Sequence, residues 1–248
     1  MGERTKKARL DQLLVARGLA ADVSTAMRLI MAGEVIVEHH DAIVLTPGLM
    51  LQADAGVQLA ERPRYVSRGG YKLEFALRRF HVDVTGRVAL DIGASTGGFT
   101  DCLLQHGATR VYAVDSGRGQ LHNRLLLDSR VVSMERTNAR NGVALPEPVE
   151  LLVADVSFIS LLTVLPACIG NLRPGGVCIA LFKPQFEAAR REVGKGGVIS
   201  DDGTVARVLA RFVQKAPQAG LEVRRIARSP MLGDRGNREF LVLLMPAR

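Results

Sequence analysis

Apolar positions along the chain fall into two regimes. Through residue 62 the runs are short. Leu10, Leu13 and Leu14 have helical spacing closed by Gly18, and Met27, Ile30 and Met31 repeat the pattern between a cap at Asp22 or Ser24 and a stop at Gly33. Val35 and Val37, Ile43 and Val44, and Val57 and Leu59 then read as small strands, broken by the turn residues Thr46, Pro47 and Gly48. Two short helices and small strands predict a compact α+β domain over 1–62. The polar stretch 63–70, with Pro63 and the pair Gly69-Gly70, predicts a linker.

From residue 71 the period switches between that of strands and that of helices. The pattern predicts strands at 87–94, 110–116, 131–137, 151–158, 175–184, 220–227 and 238–246, and helices at 72–80, 98–106, 119–127, 160–171 and 203–218. Such alternation demands right-handed crossovers, hence an α/β domain over 71–248 with a mostly parallel, doubly wound sheet. The connection between the last two strands is too short for a helix, so the final strand is expected to run antiparallel. "CIALFKPQFE" (178–187) ends its strand on Lys183, because Pro184 drives the residue before it toward extended geometry. A charge there lies at the carboxyl edge of the sheet, where folds of this kind bind ligands.

Composition narrows the class. With 47% apolar and 23% charged residues the chain reads as an ordinary globular protein. No apolar run approaches the roughly 20 residues of a membrane span. The charged opening "MGERTKKARL" does not resemble a signal peptide, so a cytoplasmic location is expected. Cys102, Cys168 and Cys178 are odd in number and embedded in apolar stretches, which predicts buried reduced thiols and no metal site. The net charge of +8 points to a polyanionic partner. Of 33 basic and 25 acidic residues, 8 of each lie in 1–64, so the whole excess falls in 65–248. The first segment still opens on a basic cluster of Arg4, Lys6, Lys7 and Arg9.

Two constellations carry chemistry. In "ALDIGASTGGFTDCLL" (89–104), Gly93, Gly97 and Gly98 join a strand to a helix, where they permit a tight turn and close approach of a ligand to free backbone N–H groups. Asp115 ends the next strand, placed to accept the two hydroxyls of a ribose. The dinucleotide fingerprint G-x-G-x-x-G is absent. An acidic residue, Asp91, followed by G-x-x-x-G-G instead resembles the S-adenosylmethionine pattern of class I methyltransferases, which implies a Rossmann-like fold and places Asp91 at the cofactor's ammonium. The second constellation is Lys72, Asp155, Lys183 and Glu239, four charges that the predicted topology brings to one sheet edge. The set resembles the Lys-Asp-Lys-Glu tetrad of FtsJ-like RNA ribose 2′-O-methyltransferases. That resemblance implies Lys183 as the base that takes the proton of a ribose 2′-hydroxyl, with the other three orienting and tuning it. A lysine acts as a base only when neutral, a form that burial and a neighbouring like charge favour and that nearby carboxylates oppose.

The chain resembles the TlyA family of bacterial rRNA 2′-O-methyltransferases, also labelled haemolysins, nearly end to end. "RLDQLLVARGLA" and "STAMRLIMAGEVIV" (within 9–37) are similar to the alpha-L RNA-binding module. "YVSRGGYKLEFAL", "DIGASTGGFTD", "ERTNAR", "ADVSFISL" and "LFKPQFE" match the catalytic segments. The resemblance implies a cytidine of ribosomal RNA as substrate and ribosomal RNA or ribosomal subunits as partners, without membrane or metal. It implies a cofactor set of Asp91, Gly93, Ser95, Gly97, Gly98, Asp115, Asn138 and Asp155. The small module departs from the family at Ser24-Thr25, Glu34 and Glu38-His39, each change removing or replacing groups that would meet phosphate. RNA contact is therefore expected from Arg4, Lys6, Lys7 and Arg9 and, in the catalytic region, from Arg68, Arg190, Arg191 and Lys195, with Arg224, Arg225, Arg228, Arg235 and Arg238 as further basic positions. The polar, Gly-rich stretch 187–202 reads as a mobile lid that orders on RNA, or as a plain surface connection. Competing readings are an RNA-binding factor without catalysis, a membrane-active haemolysin, and a nicotinamide dehydrogenase that lacks its fingerprint.

Overall fold

The computed structural model describes residues 7–31, 34–38, 45–59 and 63–247. Gly33, the pair His39-His40, and Ile43 and Val44 lie outside the described residues, as do Arg4 and Lys6. The chain divides into two compact units, Met1–Arg64 and Tyr65–Arg248.

In the first unit, β1 (Lys7–Arg9) leads directly into α1 (Leu10–Ala16), followed by α2 (Val23–Met31), β2 (Val35–Val37), β3 (Met50–Gln52) and β4 (Val57–Leu59). The strands pair as two antiparallel ribbons, β1 with β3 and β2 with β4. Leu10, Leu14, Ala26, Ile30, Val35, Val37 and Leu51 form its core. Asp11 is fully buried, held by the Arg9 guanidinium at 2.5 and 3.0 Å.

The second unit is built on a seven-stranded sheet. Its strands are β5 (Val88–Ile92), β6 (Arg110–Val114), β7 (Val131–Met134), β8 (Val149–Ala154), β9 (Leu172–Phe182), β10 (Leu221–Arg228) and β11 (Phe240–Pro246). The order across the sheet is β10-β11-β9-β8-β5-β6-β7. Neighbours from β9 through β7 are parallel, whereas β11 runs antiparallel to both β9 and β10. The expected antiparallel final strand is therefore present. The carboxyl ends of β5, β6, β8 and β9 share an edge with the start of β11, and the strand order reverses at β5, where β6 lies on one side and β8 on the other. That reversal is the switch point at which such sheets open a crevice.

Helices cover both faces because successive strand residues point to opposite sides. Ala89, Val111, Ala113, Leu151, Val153, Ile179 and Leu181 pack on one face with α3 (Arg68–Phe80), α4 (Gly98–Gln105) and α5 (Asn123–Leu126). Leu90, Ile92, Val114, Leu152, Ala154, Cys178 and Phe182 pack on the other with α6 (Leu161–Cys168) and α8 (Asp202–Lys215). A four-residue helix, α7 (Pro184–Glu187), follows β9. All three cysteines are free and buried. Among the described residues no helix is long and apolar enough to cross a membrane.

Two expectations need correction. Residues 68–70, read as linker, open α3, and Tyr65 is buried in the core. Gly70 is glycine because a Cβ there would lie 2.3 Å from the Tyr65 ring. The helix expected over 119–127 shrinks to Asn123–Leu126, because Gly117 and Gly119 turn under the carboxylates of Asp115 and Glu135, to which their N–H groups donate at 2.7 Å each.

Candidate active site

The turn after β5 is left-handed at Gly93 and Gly97, with φ of 78° and 97°. A Cβ on Gly93 would come within 2.5 Å of the Asp155 carbonyl, so only glycine lets this turn reach the end of β8. At the end of β6, the Asp115 carboxylate accepts the N–H groups of Ser95 at 2.8 Å and Gly117 at 2.7 Å, which fixes its orientation. Asn138 opens the short turn 139–141, its Oδ1 accepting from the Arg140 N–H at 3.1 Å. Asp115 and Asn138, with Gly93, Ser95 and Asp155, line a cavity of about 380 Å³ whose apolar wall includes Ile159 and Val164.

A second cavity, about 290 Å³, opens where the amino ends of α3 and α4 meet. Ser67, Arg68, Lys72, Asp155, Ser157 and Lys183 line it. Gly93, Ser95, Asp155 and Ser157 line both cavities, which therefore adjoin at the carboxyl ends of β5 and β8.

Two ion pairs furnish the smaller cavity. Lys183, extended at φ −115° immediately after β9, places Nζ 2.6 Å from Asp155 Oδ1 and donates to Ser157 Oγ at 2.9 Å. Lys72, on the first turns of α3, places Nζ 2.5 Å from Glu239 Oε2. The latter pair is buried, at 9% and 3% side-chain exposure. Glu239 does not line the cavity. Its carboxylate rests in a notch above Gly233, where a Cβ would lie 2.0 Å away, and it meets the site only through Lys72. The four charges far apart in sequence are thus brought together in two coupled pairs.

Asp91 lies beneath the glycine turn and is fully buried. One of its oxygens accepts from Thr100 Oγ1 at 2.6 Å, while Oδ1 has no partner. Burial raises its pKa to about 7, with repulsion from Asp155 and Asp115 acting in the same direction. An ionised carboxylate missing one partner suits a cation that arrives with a ligand.

The proposed RNA contacts separate. Arg68 lines the smaller cavity. Arg190, Arg191 and Lys195 are exposed and line neither cavity. Lys7 and Arg9 belong to the first unit, where Arg9 is committed to Asp11. The stretch 187–202 is hydrogen-bonded along its backbone to residues 235–238. Arg235 donates to the Gly196 carbonyl at 2.6 Å, Asn237 bridges the Gly197 carbonyl and the Ile199 N–H at 3.0 and 3.1 Å, and Arg238 donates to the Ser200 carbonyl at 3.2 Å. Arg211 grips Glu192 at 2.6 and 3.1 Å.

Sequence reasoning did not single out Ser157, whose hydroxyl accepts from Lys183. It also missed Phe158, which is 90% exposed at the mouth of the larger cavity with φ of 64°. Its ring centroid lies 5.0 Å from that of Phe186. An aromatic three residues past a strand-end carboxylate was the available signal. Among the described residues no group of three or more His, Cys, Asp or Glu side chains is gathered to hold a metal.

Comparison with known proteins bears on the whole chain. Residues 65–245 match the model of the FtsJ-like methyltransferase family. A Mycobacterium tuberculosis protein named 16S/23S rRNA (cytidine-2′-O)-methyltransferase TlyA is 42% identical over 241 residues, 96% of this chain and 90% of its own. A Bacillus subtilis protein named as a candidate rRNA methyltransferase is 47% identical over 247 residues, covering 97% of this chain and 86% of its own. A solved structure of a candidate hemolysin from Streptococcus thermophilus matches with a TM-score of 0.72 at 41% identity, over 98% of this chain and 90% of that one.

Proposed function

The chain belongs to the FtsJ-like methyltransferase family, and from that membership we propose that it transfers a methyl group from S-adenosylmethionine to a ribose 2′-hydroxyl, a cytidine's, in ribosomal RNA. One observation carries the reading: Lys72, Asp155 and Lys183 line a cavity that adjoins, at Gly93 and Asp155, the larger cavity floored by Asp115 and Asn138.

The larger cavity suits the cofactor's adenosine. Asp115 offers a fixed carboxylate to ribose hydroxyls, Asn138 a side-chain amide near the base, and Ile159 and Val164 an apolar wall. Gly93 and Ser95 supply the close backbone, and the unpartnered oxygen of Asp91 suits the ammonium of the amino-acid end. Once bound, S-adenosylmethionine supplies an electrophilic methyl group on a cationic sulfur. The protein's own residues then act on the hydroxyl. Lys183 in its neutral form takes the hydroxyl proton as the oxygen attacks, and Asp155 and Ser157 hold its Nζ for that task. Lys72, kept in place by Glu239, sets a second positive charge in the same cavity, where it stabilises negative charge developing on the oxygen. Phe158 offers an exposed ring on which a nucleobase can stack.

We assign the first unit, Met1–Arg64, as an alpha-L-type RNA-binding domain and the second, Tyr65–Arg248, as the methyltransferase domain, acting in the cytoplasm where ribosomal RNA is the substrate. Mapping ribose methylation in ribosomes from cells with and without this protein tests the reading. A cytidine 2′-O-methyl group that disappears without the protein, and returns when ribosomal subunits are treated with protein and S-adenosylmethionine, is the expected result. An identical methylation map sinks the assignment. For RNA recognition, replacing Arg190, Arg191 and Lys195 together by glutamine is expected to weaken binding and to flatten its salt dependence by roughly 0.7–0.9 in slope for each phosphate no longer neutralised. An unchanged slope in a salt titration would assign the three to ordinary surface.

A further inference from the structure

The segments that follow β8 and β9 touch at three successive levels. At the first, Lys183 meets Asp155 and Ser157 at 2.6 and 2.9 Å. At the second, the Phe186 ring packs on Phe158, and Lys183 Nζ lies 5.9 Å from the Phe186 ring centre. At the third, Glu187 Oε2 accepts from Ser160 Oγ at 2.6 Å and Oε1 accepts from the Leu161 N–H at 2.7 Å.

The three levels differ in stiffness. Lys183 is a long, flexible side chain, and Phe158 is almost wholly exposed. Neither can by itself fix the distance between the two segments. Glu187 is different: it reaches a backbone N–H at the first turn of α6, a donor that the helix itself leaves unpaired. Ser160, its other partner, is the N-cap of that helix and accepts from the Leu162 N–H at 3.1 Å. The carboxylate thus joins the positive end of α6 to α7, and α7 is one rigid turn with Pro184 at its first position and Lys183 as its cap. Lys183 and Glu187 stand one helical turn apart, so a shift at one end of α7 is carried to the other.

We propose that Glu187 is a positioning residue of the methyl-transfer site: its carboxylate locks α7 onto the start of α6 and so sets the Lys183 amine against Asp155 and Ser157. This rests on the assignment of Lys183 as the base. It adds a residue that touches neither cavity and acts solely through the placement of Lys183.

The test compares the full-length parent with Glu187→Ala, Ser160→Ala and Glu187→Gln, using kcat on ribosomal subunits, KM for RNA, and S-adenosylmethionine binding by calorimetry. Displacing a reacting group by about an ångström costs on the order of 100-fold, so kcat of Glu187→Ala is expected to fall about 10- to 100-fold. Cofactor affinity and RNA KM stay near the parent values. Glu187→Gln rescues most of the activity, because its amide oxygen accepts from Leu161 and its amide nitrogen donates to a rotated Ser160 hydroxyl. Ser160→Ala, which keeps the Leu161 hydrogen bond, falls between them. The proposal is overturned if folded Glu187→Ala retains the parent kcat, or if kcat and cofactor affinity fall together in proportion, the mark of a merely structural role. Should Glu187→Ala fail to fold, equal kcat for Ser160→Ala and the parent overturns it. A parent enzyme that methylates no ribose refutes the proposed function and this inference with it, whereas an active parent with unaffected variants refutes this inference alone.

Discussion

Lys183→Met is expected to lower the single-turnover rate of methyl transfer about 10²- to 10⁴-fold, the usual contribution of a positioned base. Methionine keeps the unbranched apolar stem and removes only the amine. Asp155, left without its partner, is a quarter exposed and regains water, so folding should be little disturbed. Lys72→Met presents a contrast that separates catalysis from stability. Its partner Glu239 is 3% exposed, and stranding such a charge costs roughly 3–5 kcal/mol. Lys72→Met should therefore lose both activity and thermal stability, and pairing it with Glu239→Gln should restore the melting temperature without restoring the rate. Single-turnover transfer of labelled methyl, read beside thermal unfolding, checks all three variants. A Lys183→Met enzyme that keeps more than about a tenth of the parent rate cannot have lost its base, given what such groups contribute.

The charges in that contrast were legible in the sequence for a topological reason. Lys183 ends a predicted strand, Asp155 lies toward the end of another, and an antiparallel last strand brings Glu239 to the same edge. Strand ends of a parallel sheet are fixed by periodicity and by Pro184, both local signals. Features that depend on distant partners were not legible. β1 comprises three residues, Lys7–Arg9, with no apolar alternation, and exists because Met50–Gln52 pairs with it. Gly69 and Gly70 looked like linker residues because their reason, the Tyr65 ring and the approach of α3 to α4, lies in tertiary packing. The stretch 187–202 has the composition of a loose lid, yet Arg235, Asn237 and Arg238 tie its backbone from some 40 residues away. Phe158 defied expectation in the opposite sense, since an aromatic after a buried strand ordinarily turns inward.

Cofactor affinity is expected to rise with pH up to about 7 and then level off, because Asp91 titrates there in the free protein. The carboxyl is fully buried, its Thr100 hydrogen bond does not offset its desolvation, and Asp155 and Asp115 repel its charged form. With the ammonium of S-adenosylmethionine as the missing partner of Oδ1, binding favours the carboxylate and releases a proton. Below about 7 the affinity should drop by up to about tenfold per pH unit, the limit for linkage to one proton. Calorimetry in two buffers of different ionisation heat reads the released proton directly. Asp91→Asn should bind more weakly at pH 8 and lose this dependence, since the amide carries no titrating charge. Folding must show the opposite trend. The native state holds the Asp91 proton more tightly than the unfolded chain, so this group favours folding at low pH, and that contribution declines as pH rises from the unfolded value of 3.8 toward about 7. Relative to the parent, Asp91→Asn should then be more stable above pH 7 than near pH 4, while binding the cofactor less well. Equal cofactor affinity at pH 6 and pH 8, with heats independent of buffer, would mean that Asp91 keeps one protonation state throughout and does not meet the ammonium.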